Sequence, residues 1–288
     1  MAQPVVSSVQ APALRPPVPQ PSPVLRKARA AIGQLPRMLA RQFAGADSFA
    51  AHPPILVNSL PKSGTHLMMQ IAEALPGARQ YGSFIAQRPS WAAWTRDTAQ
   101  IEARIARIAP GEVLGAHLHH SPRIARALAR RNVLHLFIYR DPRAVLVSEV
   151  QYLAQVARWN ALHKRFAEAR DFNAQIDLAI AGDGSAALPD MALRYGPYLA
   201  WVDAPGVLAV RYEDLICPKR RPLVLRDVLA RHGERCGLSH DPRHLARLAE
   251  AILPEQSHTY TGRDPERWRR KLSPVQEGRV CARFPWLA

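Results

Sequence analysis

The seven residues Val133–Tyr139, VLHLFIY, constrain the fold more than any other stretch of the chain. They form an almost unbroken apolar run with β-branched and aromatic side chains, and they stop abruptly at Arg140-Asp-Pro-Arg143. Such a run suits a strand buried on both faces, as strands are in a parallel sheet covered by helices. A helical pattern follows it as far as Val156. Three further stretches behave alike. Ile55–Ser59 leads into a turn at Leu60–Gly64 and a helical pattern over Thr65–Leu75. Glu112–His117 precedes a helix over Arg123–Arg131, and Val207–Tyr212 is the fourth strand candidate. Strands alternating with helices predict parallel crossover units within one α/β domain. Ligands of such sheets sit at the carboxyl ends of the strands, so the loops there carry the functional reading.

Composition limits the alternatives. The chain has 288 residues, 48% of them hydrophobic, which is enough for a sizeable core. No apolar run approaches the 18 or more residues that cross a bilayer. Cys217, Cys236 and Cys281 are too widely spaced for a disulfide scaffold or a cysteine zinc site. They read as reduced thiols, which suits a cytoplasmic location. The formal net charge is +16, which by itself is compatible with nucleic acid or an anionic membrane as partner.

That charge is unevenly placed. The first 54 residues hold ten of the 26 prolines and six basic residues against one acidic residue, a local +5, leaving +11 for the remainder. Residues 1–23 are expected to be disordered, and no charged segment leads into an apolar one as a secretory signal would. Residues 24–43 alternate basic and apolar. This pattern fits a basic amphipathic helix resting on an anionic membrane or a partner, or one that packs loosely on its own domain. The expected division is a tail over residues 1–53 and one domain over 54–288.

The first loop, Leu60-Pro61-Lys62-Ser63-Gly64-Thr65, links a strand to a helix N-terminus. Backbone N–H groups converge in such a turn and favour an anion. Gly64 allows close approach, Ser63 and Thr65 add hydroxyls, and Lys62 adds charge. The Walker A pattern is absent, since Lys62 precedes Gly64 and no upstream glycine is present. A plain helix cap is the alternative reading of these residues.

The six residues Pro61–His66, PKSGTH, resemble the 5′-phosphosulfate loop of sulfotransferases that use 3′-phosphoadenosine 5′-phosphosulfate (PAPS). The resemblance extends to Arg140 and, eight residues on, Ser148, which match the family's 3′-phosphate clamp, with Pro142 placed to open the helix. It covers roughly residues 54–275 and implies a P-loop-like three-layer fold with a central parallel sheet flanked by helices. It also implies sulfuryl transfer to an acceptor hydroxyl, with no metal required. The nucleotide contacts it implies are Lys62, Ser63, Gly64, Thr65, His66, Arg140 and Ser148. Tyr212 would lie near the adenine and Arg263 in a C-terminal loop over the 3′-phosphate. His117, 23 residues before Arg140, matches the catalytic base, with His119 and His120 as alternatives, and Lys62 would stabilise the leaving nucleotide. The chain departs from the pattern at Gly115, where many relatives carry Lys, and at Leu67, where many carry Trp. Trp268 aligns in the C-terminal loop, whose Arg-Lys pair is missing.

Three rival readings stay open from sequence. One is an ATP-dependent P-loop kinase. Another is a nucleotide-binding family member without turnover. The third is a basic protein that binds nucleic acid or membrane, for which the two phosphate loops would be coincidence. No nucleic acid partner is expected from the resemblance, and the oligomeric state is not encoded in any motif. The acceptor, a small molecule or a glycan or lipid hydroxyl, should be shaped by Gln80–Asp97 and Leu153–Pro197. Tyr81, Phe84, Trp91, Trp94, Trp159, Phe166, Phe172 and Tyr195 lie in these segments, either in the pocket or in the core.

Overall fold

The computed structural model describes residues 35–89, 94–252 and 264–287. The expected disordered stretch 1–23 and the start of the basic segment lie outside these residues, as do Trp91 and Arg263. Five strands form one parallel sheet: β1 (Ile55–Ser59), β2 (Arg79–Ala86), β3 (Glu112–His117), β4 (Leu134–Tyr139) and β5 (Val207–Arg211). Their order is β2-β3-β1-β4-β5, and every pairing is parallel. The carboxyl ends of β3, β1 and β4 therefore lie side by side at the centre of the sheet.

Alternation along the strands divides the core into two layers. Leu56, Leu114 and Phe137 pack on one face with Ile101, Ile124, Leu146, Trp201 and Trp268. Ile55, Val57, Leu136 and Ile138 pack on the other with Met68, Ile71, Leu225 and Val228. The helices that matter for the site are α1 (Thr65–Glu73), α2 (Pro122–Ala129), α3 (Pro142–Gln151), α4 (Met191–Leu199) and α5 (Arg221–Cys236). The result is the three-layer α/β architecture expected from the sequence.

All four expected strands are present, and β2 is an addition that sequence patterning missed. Its residues are largely exposed or half-buried, it lies at an edge, and its register against β3 shifts between Gln80 and Phe84 around a left-handed Gly82. The apolar alternation that would have marked it is therefore absent.

The helix over residues 35–42 leaves Leu35, Met38, Leu39 and the following Phe43 exposed. Arg37 points the other way, donating from Nε to Glu112 Oε1 at 2.8 Å and from Nη2 to the Arg107 carbonyl at 3.2 Å. Among the described residues no helix is long and apolar enough to cross a membrane.

Candidate active site

The β1–α1 turn is built around two left-handed residues. Gly64 has φ 96° and caps α1, and Lys62, a residue with a side chain to strain, has φ 70°. The first N–H groups of α1 lack intrahelical partners by construction, so they point out of the helix end. A β-carbon at Gly64 would stand 2.6 Å from Cδ2 of Tyr212, so the glycine is required by the ring packed on it as well as by its φ. Ser63 is fully buried, and its hydroxyl has no hydrogen-bond partner.

Lys62 is held over the ring of Tyr152, its Nζ 3.9 Å from the centroid. Tyr152 begins a π-helical turn, Tyr152–Val156, that extends α3. Burial pushes the Lys62 ammonium down to about 8, opposed by Glu149 and assisted by Arg140. An ammonium this easily neutralised is not yet paired, and an incoming anion would hold it charged.

Ser59 links the turn to the neighbouring strand end. Its Oγ lies 2.7 Å from Thr65 Oγ1 and 3.0 Å from His117 Nδ1. His117 Nδ1 also lies 3.1 Å from the Ser59 carbonyl oxygen. A carbonyl only accepts, so Nδ1 carries the proton and Nε2 keeps its lone pair. Burial lowers the imidazole to about 4, against the bond to Ser59 and reinforced by the charges of His66 and Lys62. His117 is therefore neutral at pH 7 with a basic nitrogen available. Asn58, which sequence reading did not single out, sets this registry. Its Oδ1 accepts from Leu118 N at 2.8 Å and Ser59 N at 3.0 Å, joining β1 to the end of β3.

The two alternative histidines face elsewhere. His119 packs edge-on against Tyr198, with centroids 4.5 Å apart, and His120 against Trp201 at 4.7 Å. The backbone N–H of His120 donates to Pro197 O on α4. Phe84 covers His117 edge-on at 5.0 Å. It also explains Gly115, since a β-carbon there would lie 2.6 Å from Phe84 Cδ2. The ring occupies the space that a longer side chain at position 115 would need.

At the end of β4, Asp141 caps α3 and Pro142 takes its first position, as expected. Asp141 pairs with Arg143, whose Nη2 lies 2.8 Å from Oδ2, and not with Arg140. Arg143 is further held by Glu277 at 2.8 Å and by the ring of Trp268 at 4.1 Å. Arg140 is left over: its guanidinium stacks on Tyr212 at 4.5 Å, and its buried Nε has no partner. Tyr212 thus lies between the two loops, touching Gly64 on one side and Arg140 on the other. Ser148 is half-buried on α3. His66 is exposed in the first turn of α1, and Leu67 is buried in the core, so it offers no ring to a ligand.

Two orphaned donors, a hydroxyl and a guanidinium nitrogen, flank a helix N-terminus beside a buried lysine whose ammonium is lowered to about 8. That arrangement fits a small ligand with anionic groups at both ends. The sulfotransferase domain family matches residues 52–220, more than half of the chain. The chain belongs to the sulfotransferase family. Among solved structures, this sulfotransferase is similar to mouse sulfotransferase SULT7A1 complexed with PAP, at a TM-score of 0.55 and 16% identity over 85% of this chain and 86% of that one. It is similar also to retinol dehydratase in a complex with retinol and PAP, at 0.55 and 13% identity over 87% and 85% of the two chains. The same enzyme with androsterone and inactive cofactor PAP gives 0.53 and 14% over 88% and 84%. At these identities the likeness is one of fold. No curated protein matches the chain.

Beyond the residues expected, the structure adds Ser59, Asn58, Tyr152, Glu149 and Phe84 around the site. Only Phe84 lay in a stretch already marked for the acceptor. The others belong to strand ends and a helix interior, where a polar residue has no distinguishing sequence pattern.

Proposed function

We propose that this sulfotransferase moves a sulfuryl group from PAPS to an acceptor hydroxyl and releases 3′,5′-adenosine bisphosphate (PAP). One observation carries the reading. The Ser59 hydroxyl joins a phosphate-loop residue, Thr65, to a neutral histidine on the adjacent strand, His117. A base for the acceptor and a cradle for the donor are thereby fixed to each other.

In this reading Lys62, Ser63, Gly64, Thr65 and His66 hold the 5′-phosphosulfate, with the Ser63 hydroxyl finding the partner it lacks. Arg140 and Ser148 hold the 3′-phosphate, Tyr212 lies near the adenine, and Arg263 contributes from the C-terminal loop. PAPS supplies the transferable group. His117 Nε2 takes the acceptor hydroxyl proton while its Nδ1–H stays on the Ser59 carbonyl. Lys62 places positive charge where the departing phosphate oxygen gains negative charge, in surroundings where charge is weakly screened.

The reading extends to organisation and partners. Residues 54–288 make the catalytic domain and 1–53 an extension from it. The acceptor is a small-molecule, glycan or lipid hydroxyl. The free thiols suit a cytoplasmic location. Residues 24–43 touch a membrane surface peripherally, supported by the exposed Leu35, Met38, Leu39 and Phe43. Co-sedimentation with anionic vesicles tests that contact, and its loss on deleting residues 1–43 is expected.

The nucleotide is tested by thermal shift. PAP should raise the melting temperature and magnesium ATP should not. Stabilisation by ATP alone overturns the reading in favour of a kinase. Transfer from radiolabelled PAPS to a panel of hydroxyl acceptors then separates an enzyme from a member that only binds nucleotide.

A further inference from the structure

The helix over residues 35–42 is docked with its polar side inward. Arg37 and Ala40 are half-buried, as is Ala44 just beyond the helix, a stripe at i, i+3 and i+7. Arg37 carries the attachment through its ion pair with Glu112, which is fully buried and whose other oxygen accepts from Ala109 N at 2.8 Å. On the opposite side Leu35, Met38, Leu39 and Phe43 form a second stripe, 68%, 64%, 54% and 80% exposed. A helix that stabilises its own domain buries its apolar stripe. Here an ion pair fixes the helix in the reverse sense, and four large apolar side chains are displayed to solvent.

The face beside this stripe is basic. Arg37 also reaches the Arg107 carbonyl, which puts the exposed Arg107 next to the helix. Arg131 Nη2 donates to the neighbouring Ala106 carbonyl at 2.7 Å, and its guanidinium lies 5.1 Å from the Phe49 ring centroid. Phe49, in the short helix Ala46–Ala51, shares an open groove with Ala44, Ala46, Ala50, Arg130 and Arg131. An apolar floor with an arginine rim thus continues from the displayed stripe, and Arg41 adds a further exposed cation. Asp47 is the only acid between residues 35 and 52, and it does not line the groove.

Hydrogen bonds fix where this face lies on the sheet. Glu112 opens β3, and Gly111 just before it donates its N–H to the His52 carbonyl. Leu134 N, at the start of β4, donates to the Pro54 carbonyl, and Asn132 Nδ2 to the Phe49 carbonyl at 3.0 Å. All of these are amino ends of strands, whereas Lys62, His117 and Arg140 stand at carboxyl ends. Strands of five or six residues hold the two ends about 17–20 Å apart.

We propose that this face docks on an anionic phospholipid bilayer, with Leu35, Met38, Leu39 and Phe43 entering the headgroup region and Arg41, Arg107 and Arg130 meeting lipid anions. Apolar anchors rimmed by arginine, with one acid among them, complement such a surface in both hydrophobicity and charge. The phosphate loops then look away from the membrane, so nucleotide and acceptor both arrive from solution. This inference rests on the peripheral contact read for residues 24–43 and deepens it, by adding the domain's own arginines and fixing the direction in which the site faces.

The test is binding of the full chain to vesicles of phosphatidylcholine with phosphatidylserine, against vesicles of phosphatidylcholine alone. The anionic vesicles should bind at least about ten-fold more tightly. Arg107→Gln and Arg130→Gln should each weaken that binding about five-fold, and Leu39→Glu or Phe43→Glu at least about ten-fold. All four side chains are exposed, and a melting curve checks each variant. On anionic vesicles hydrogen exchange should slow over residues 35–50 and 130–132 but not over 60–66 and 140–143. Arginine variants that bind like the wild type, equal binding to both vesicles, or protection of the phosphate loops each overturn the docking face while leaving a tail contact standing. So does a concentration-dependent dimer that Leu39→Glu dissolves, which assigns the stripe to a second copy of the chain. No binding of the wild type to either vesicle removes the tail contact and the docking face together. The PAP-induced melting shift, measured without vesicles, reads the nucleotide site separately. Its absence would remove the PAPS reading and leave the docking face in place.

Discussion

At the scale of single residues, the site depends on two groups whose charges are set by burial. His117 is lowered to about 4 and Lys62 to about 8. A base works only when deprotonated, so activity through His117 is lost as pH falls through about 4. A cation works only when protonated, so the contribution of Lys62 is lost as pH rises through about 8. The pH profile of kcat/KM, which reports the free enzyme, should therefore be a bell with limbs near those values and not an acid limb near 6.5. Lys62→Met should remove the alkaline limb and lower kcat by about 10²–10³, the usual loss for one electrostatic donor. His117→Ala should lower transfer by about 10²–10⁴ while leaving the PAP-induced melting shift intact. If His119→Ala has the larger effect on transfer, the base has been misassigned.

At the scale of elements, the β1–α1 turn and the β2–β3 pair carry the next predictions. Gly64→Ala places a β-carbon 2.6 Å from the Tyr212 ring at φ 96°. It should cost about 1–3 kcal/mol of stability by denaturant titration and weaken PAP binding, because Tyr212 must move and Arg140 rests on it. Gly115→Ala should displace Phe84 from His117. Its effect on transfer should be non-additive with Phe84→Ala, which empties the same space, and a double-mutant cycle reads that coupling. Elements also show where sequence was readable. VLHLFIY, β1 and β3 announced themselves because both faces are covered, and β5, half-buried at the other edge, by its apolar composition alone. The proline after Asp141 marked the start of α3 through its own backbone restriction. By contrast, β2 was hidden by its polar edge position, and its Gly82 reads as a turn. By residue type alone either Arg140 or Arg143 could pair with Asp141, and the resemblance was what singled out Arg140. Only the fold, by bringing Glu277 and Trp268 to Arg143, leaves Arg140 unspent.

At the scale of the whole molecule, several histidines are carried neutral in the interior. Burial lowers His135 to about 3, reinforced by His120, and His232 to about 4, reinforced by His240 and His244. His135 packs on Trp201 at 4.6 Å, and its Nε2 has no partner. In the unfolded chain both would take a proton near 6.5. Their contribution to stability is complete above that pH and is lost as pH falls from about 6.5 toward their folded values, by up to about 1.4 kcal/mol per pH unit for each. Urea midpoints measured between pH 7 and pH 5 should fall, and His135→Phe or His232→Phe should flatten the slope. The strand order has a different kind of consequence. The two loops proposed to hold the nucleotide's phosphates hang from the inner strands β1 and β4, where any change of length disturbs the packing on both faces. Most of residues 80–89, part of the stretch marked for the acceptor, lie instead in the edge strand β2. An engineer could therefore exchange this edge segment for that of another member of the fold, provided Phe84 keeps its place on His117, and leave the two phosphate loops as they are.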